Sequence, residues 1–169
     1  AVYQGQEAYD NADGQPDVAN SDGVRSAWTY ASQAAQDGVT AGLSQFTTPW
    51  NKAFSNGAFA ALACPTWMMG YIQGQAGDAY SGKWDIAPVL PGGATNWGGS
   101  WLGVPTAAKN KDAAIALVEW LSAKPQQVTM WAQGGHFPSN SDAAAAPAVA
   151  GATSAYFSNA PVGQIFGDI

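Results

Sequence analysis

Charge is what this sequence has least of. Charged residues make up 11% of its 169 positions, against about a quarter in an ordinary globular chain. The net charge of −6 and only six Lys and Arg, scattered along the chain, argue against phosphate-backbone recognition, which needs basic clusters. The same scatter gives no polybasic patch for an anionic membrane surface. No apolar run reaches the length of a transmembrane helix. The opening "AVYQGQEAYD" lacks the basic and apolar regions of a signal peptide. Cysteine is nearly absent: Cys64 stands alone, so neither an internal disulfide nor a cysteine zinc cluster can form. Its apolar neighbours predict a buried, inert thiol.

Catalytic groups are also scarce. Glutamate occurs only at Glu7 and Glu119, and Glu119 falls on a helical pattern, where a solvated face is expected. The aspartates fall mainly in turns and helix starts, where capping explains them. A glycosidase needs two carboxylates held across a cleft; Asp78 and Asp85 are the one plausible pair, and nothing in the pattern ties them together. His136 is the single histidine, with no nucleophile elbow or acidic partner in a motif. One His and one Cys make no metal site. There is no P-loop and no GxGxxG. No catalytic residue, metal or cofactor is expected.

What the sequence does have is tryptophan, at 8 of 169 residues, several times ordinary usage. It also has 20 glycines and abundant Ala, Ser, Asn and Gln, a profile common among secreted proteins. Trp28, Trp120 and Trp131 sit inside helical patterns and are expected in packing; Trp84 opens a strand pattern and is ambiguous. Trp67, Trp97 and Trp101 differ, because each stands at a strand end or in a Gly- or Pro-marked turn, where sites tend to lie. An indole face suits the C–H face of a sugar, and polar groups serve its hydroxyl rim. Asn96 and Ser100 would supply rim partners, with Gly98 and Gly99 letting the ligand approach the backbone. His136-Phe137-Pro138 is either a simple turn or a cleft wall.

The elements are expected to alternate, an α/β pattern. A polar turn cluster, "DNADGQPD", precedes a helix capped by Ser21 and ended by Gly38. A second helix opens at Thr48-Pro49 and stops at Gly57. Strand-like stretches follow at 58–64, where the alanines leave a helix open, and at 83–91 and 100–105. Asn110 caps the strongest helix, and Pro125 starts another, ended by Gly134-Gly135. Residues 142–152 are either a short helix or a surface loop, and the tail has aromatics without a period. The strands are too few for a full doubly wound sheet.

Three stretches in order, "FSNGAFAALACPTWMMGYI", "KWDIAPVLPGG" and "NWGGSWLGVPTAAKNKDAAIALVEWLSAKPQQVTMWAQGGHFPSN", resemble the family 1 extracellular solute-binding proteins of sugar ABC transporters, relatives of maltose-binding protein. The tail "SAYFSNAPVGQIFG" is similar to the actinobacterial cellobiose- and xylobiose-type branch. The resemblance covers about residues 21–167. It implies a periplasmic-binding-protein-like type II fold with two lobes and a hinge, of which this chain is the C-terminal half. Residues 1–90 would belong to the second lobe, 91–99 to a hinge crossing, 100–136 to the first lobe and 137–169 to the return, with hinges near 89–97 and 136–141. It further implies an oligosaccharide ligand contacted by Trp67, Asn96, Trp97, Gly98, Gly99, Ser100, Trp101 and Phe137. Its partners would be membrane permease subunits and the missing N-terminal half, and no nucleic acid. Its place would be extracellular, on a lipoprotein anchor outside this chain. The competing expectations are a carbohydrate-active enzyme and a carbohydrate-binding module.

Overall fold

The computed structural model describes residues 9–11, 13–89 and 99–167. The chain divides into two compact units, Ala1–Ala63 with Ala87–Gly98, and Cys64–Ile86 with Gly99–Ile169.

In the first unit the polar cluster is a turn. The Asn11 side-chain oxygen accepts from the backbone N–H groups of Asp13 at 3.0 Å and Gln15 at 2.9 Å, and Gly14 takes a φ of 70° that a side chain would resist. Helix α1 runs Asp22–Gln36, with the Ser21 hydroxyl accepting from Val24 N–H. That bond satisfies one of the orphan donors at a helix start. Helix α2, Thr48–Asn56, has Pro49 in its first turn and Gly57 at φ 73° as its stop. Trp50, Ala53 and Phe54 are its buried residues. They seed an aromatic ladder: Phe46–Trp50, Trp50–Phe54 and Phe54–Phe59 ring centroids lie 5.1, 4.7 and 5.5 Å apart, the last two edge-on as the ring quadrupoles prefer. By contrast α1 buries nothing, and Trp28, expected in packing, is 76% exposed.

In the second unit α3 spans Met68–Ala76, followed by a 3-10 turn at Asp78–Tyr80. Then come α4 (Lys111–Ser122), α5 (Lys124–Gly134), α6 (Ser141–Ala144), α7 (Pro147–Ala150), a second 3-10 turn at Ala155–Phe157, and α8 (Val162–Gly167). The core lies between α3 and the tail. Met68, Ile72, Ala143, Val149, Phe157, Val162 and Phe166 are buried there. The Ala-rich stretch is therefore two single helical turns that supply core, not a surface loop. At Gly163 the chains close up until a Cβ would collide with the Val149 carbonyl and stand 2.6 Å from that of Ala150. Residues 100–136 and 137–169, expected in different lobes, share this unit. The link is Gln127 of α5, whose side-chain oxygen accepts from the backbone N–H of Ser139 at 2.8 Å and of Asn140 at 3.2 Å.

Among the described residues there is no β-ladder, only isolated bridges at Asp10–Pro16 and Ser154–Ala160. The stretches expected as strands carry the right apolar content, but a strand exists only where a neighbour accepts its hydrogen bonds. Three local expectations also change. Asn110 precedes α4 with ψ 55° and makes no side-chain cap bond, because that backbone lies outside the extended geometry from which a cap reaches back. Cys64 is exposed rather than buried, since no neighbouring strand covers 58–64; desolvation around the sulfur still pushes its thiol above the usual value. Trp120 is 56% exposed, while Trp131 is half-buried as expected.

Candidate functional site

Pro65 and Thr66 shape the approach to α3. Their carbonyls accept from Met68 N–H at 3.0 Å and Met69 N–H at 3.2 Å, which tightens the helix entrance and leaves Trp67 at the N-cap in helical geometry. Met68 and Ile72, four apart and so on one helix face, are buried at 2% and 3% exposure. Anchoring that face fixes the direction of Trp67, which remains 49% exposed. A large indole held half-open by a rigid helix start is a surface that a flat apolar partner can use.

Three residues further along α3, Gly70 approaches the end of α5: a Cβ placed on Gly70 would lie 4.0 Å from the Gly134 carbonyl oxygen. There α5 ends with Gly135 at φ 66°, its N–H donating to the Trp131 carbonyl at 2.9 Å. The chain then turns through His136, Phe137 and Pro138. His136 is exposed, Phe137 half-buried and Pro138 buried. The Phe137 ring sits edge-to-face with Trp131 and with Phe166, at 5.7 Å from each. It backs the turn and ties α5 to α8.

Gly99, Ser100 and Trp101 precede α4 and are exposed, Trp101 at 88%. Its indole edge lies 3.9 Å from where a Gly99 Cβ would stand, so the unsubstituted backbone leaves that flank of the ring open. Asn96, Trp97 and Gly98 lie outside the described residues. Trp84 is half-buried, and its carbonyl accepts from the Ser158 hydroxyl at 2.8 Å.

The two aspartates weighed as an acid/base pair have local roles. The Asp85 carboxylate accepts from the next residue's N–H, Ile86, at 2.8 Å. Asp78 starts the 3-10 turn; its charge, after burial as the larger cause, raises the Tyr156 phenol above its usual value. No set of three potential metal ligands comes together among the described residues. No helix among them is long and apolar enough to cross a membrane. His136 and the paired glycines Gly70 and Gly134 were not singled out by the sequence as one location. Their only signal was the Gly-Gly helix stop followed by His-Phe-Pro.

The bacterial extracellular solute-binding protein family matches residues 2–156. The chain belongs to this family. A solved structure described as an extracellular solute-binding protein of family 1 is 40% identical and superposes with a TM-score of 0.81 over 95% of this chain. This chain spans 41% of that one. The fold thus fits part of a periplasmic-binding-protein-like architecture. No curated protein matches the sequence.

Proposed function

We propose that this solute-binding chain is the C-terminal part of the sugar-capturing component of an ABC transporter, of the kind that takes up β-linked oligosaccharides. The observation that carries it is Trp67, half-exposed at the start of a helix whose next residue, Met68, is fixed in the core. A sugar's axial C–H face stacks on an indole, and its hydroxyl rim needs donors and acceptors close by. Trp101 would give a second aromatic face with Gly99 and Ser100 beside it. Asn96, Trp97 and Gly98 would continue that lining. Phe137 would back it.

Capture would proceed without chemistry. Ligand contacts made only in a closed form shift the population toward closure. In the full-length protein the first lobe would include 100–136 and the second 1–90 and 137–169, with crossings at 91–99 and 136–141. The closed form would dock on permease subunits outside the cell, held near the membrane by a lipid anchor. The helical character of the described residues favours this over a stand-alone carbohydrate-binding module, which is usually all-β. The local roles of Asp78 and Asp85 favour it over a glycosidase.

The test is intrinsic tryptophan fluorescence of the full-length protein titrated with a panel of oligosaccharides, with parallel assay of glycosidic bond cleavage. Saturable quenching or enhancement without product release is expected. Steady turnover proportional to protein would make it an enzyme instead.

A further inference from the structure

We propose that His136 is a ligand-contacting residue of the Trp67 site, offering its imidazole to the hydroxyl rim of the bound sugar. The proposal rests on the sugar-capture reading above and adds a specificity residue to it. The family resemblance implies Phe137 as the ligand contact at this turn, but Phe137 packs against Trp131 and Phe166 and Pro138 is buried. His136 is the member of the turn that stays exposed.

Its ring occupies the space that the absent side chain of Gly134 leaves. The imidazole Cδ2 and Nε2 lie 2.8 and 3.2 Å from where a Cβ on Gly134 would stand, a space that any other residue would fill. The ring therefore lies across the end of α5. The carbonyl of that same Gly134 faces Gly70 at the 4.0 Å noted above, and Gly70 is one helical turn from Trp67. An i, i+3 pair shares a helix face, with about 5–6 Å between neighbouring Cβ positions. Gly70, one turn into α3 from Trp67, thus meets the end of α5 that His136 follows, which places the indole and the imidazole at the two helix ends that meet there.

α3 and α8 carry no charged residue, α5 carries only Lys124, at its opposite end, and α4, which also packs against α5, carries Lys111, Asp112 and Glu119. On α6, which packs against α5, Asp142 lies in the first turn beside Asn140, which bonds the Ser122 carbonyl just before α5. It is thus also at the far end of α5 from His136. Among the described residues no hydrogen bond or ion pair engages the His136 ring. An imidazole offers two ring nitrogens for hydrogen bonding, and a sugar hydroxyl, itself donor and acceptor, can pair with either.

The experiment is isothermal titration calorimetry of the full-length protein with cellobiose and with xylobiose, comparing wild type with His136→Phe, His136→Gln and Trp67→Ala. His136→Phe keeps a ring on Gly134 but removes both nitrogens; His136→Gln keeps a donor and an acceptor. We expect about a tenfold loss of affinity for His136→Phe, the scale of one lost hydrogen bond to a ligand. His136→Gln should stay within about threefold of wild type, with both variants melting like wild type. Equal affinity of wild type and His136→Phe would overturn the proposal while leaving sugar capture intact. Equal losses in the Phe and Gln variants would overturn it too, since the role would then be one of shape. Absence of binding by the wild type to either sugar would overturn the proposal together with the reading it rests on.

Discussion

The Tyr156 hydroxyl donates to the Gly77 carbonyl across 2.9 Å, joining the tail to the end of α3. Tyr156 is 7% exposed, and the next residue but one continues the clasp: the Ser158 hydroxyl donates to the carbonyls of Gly82 and Trp84 at 3.1 and 2.8 Å. The segment after α3 is therefore held by the tail at three carbonyls.

Tyr156→Phe should lower the stability of the full-length protein by about 1 kcal/mol, the net worth of a hydrogen bond, with more lost if the Gly77 carbonyl finds no water. The variant should also change the alkaline limb. Burial, and then Asp78, raise the folded-state phenol, so folding holds a proton that the unfolded chain releases. That stability is complete below the ordinary tyrosine value near 10 and is lost as pH rises from there through the raised folded value. Urea melts at neutral and alkaline pH check both points; a Phe variant as pH-sensitive as wild type above pH 10 would show that Tyr156 is not the group.

Gly163→Ala should be among the most costly substitutions in this chain. The new Cβ would strike the Val149 carbonyl, backbone that cannot rotate away, while the Gly163 N–H is committed to Ala152 at 3.0 Å. Overpacking of this kind typically costs about 1–3 kcal/mol. Thermal melting measures it, and an unchanged midpoint would mean that α7 and α8 are further apart than described.

Gln127→Ala removes the oxygen shared by the Ser139 and Asn140 amides. Both amides lie in a turn that is partly open to solvent, so water can replace part of the loss, and a cost of about 1 kcal/mol is expected. Faster amide exchange at 139–140, measured by hydrogen exchange and NMR, should accompany it. Unchanged exchange there would contradict the tether.

Helix starts and stops with a local chemical cause were legible: Ser21, Pro49, Gly57, Pro125 and Gly135 each mark the boundary that the structure shows. What depends on distant partners was not. The stretches 58–64 and 100–105 read as strands from their apolar content, yet pairing is a property of two segments. The tail showed no period because its buried residues, Tyr156, Phe157, Val162 and Phe166, come from a 3-10 turn and a helix of six residues, too short to display one. At the candidate site, Trp67 was legible because a large aromatic beside a proline turn is conspicuous. The meeting of its helix with the end of α5 that His136 follows was not, because that meeting depends on two glycines more than sixty residues apart, Gly70 and Gly134.

Trp101→Ala should leave stability within about 0.5 kcal/mol of wild type, because an indole that is 88% exposed contributes little to packing. It should nonetheless weaken sugar binding. Denaturant melts and ligand titration of the same sample separate the two effects; a large loss of stability with unchanged binding would move Trp101 from site to structure.

The central claim is that Trp67 is the aromatic platform for a sugar, and calorimetric titration of full-length wild type and Trp67→Ala with cello- and xylo-oligosaccharides tests it most directly. Binding by the wild type and a loss of about 1–3 kcal/mol in the variant, the scale of a buried aromatic contact, is the predicted result. Equal affinity of the two proteins for a sugar that both bind would contradict it.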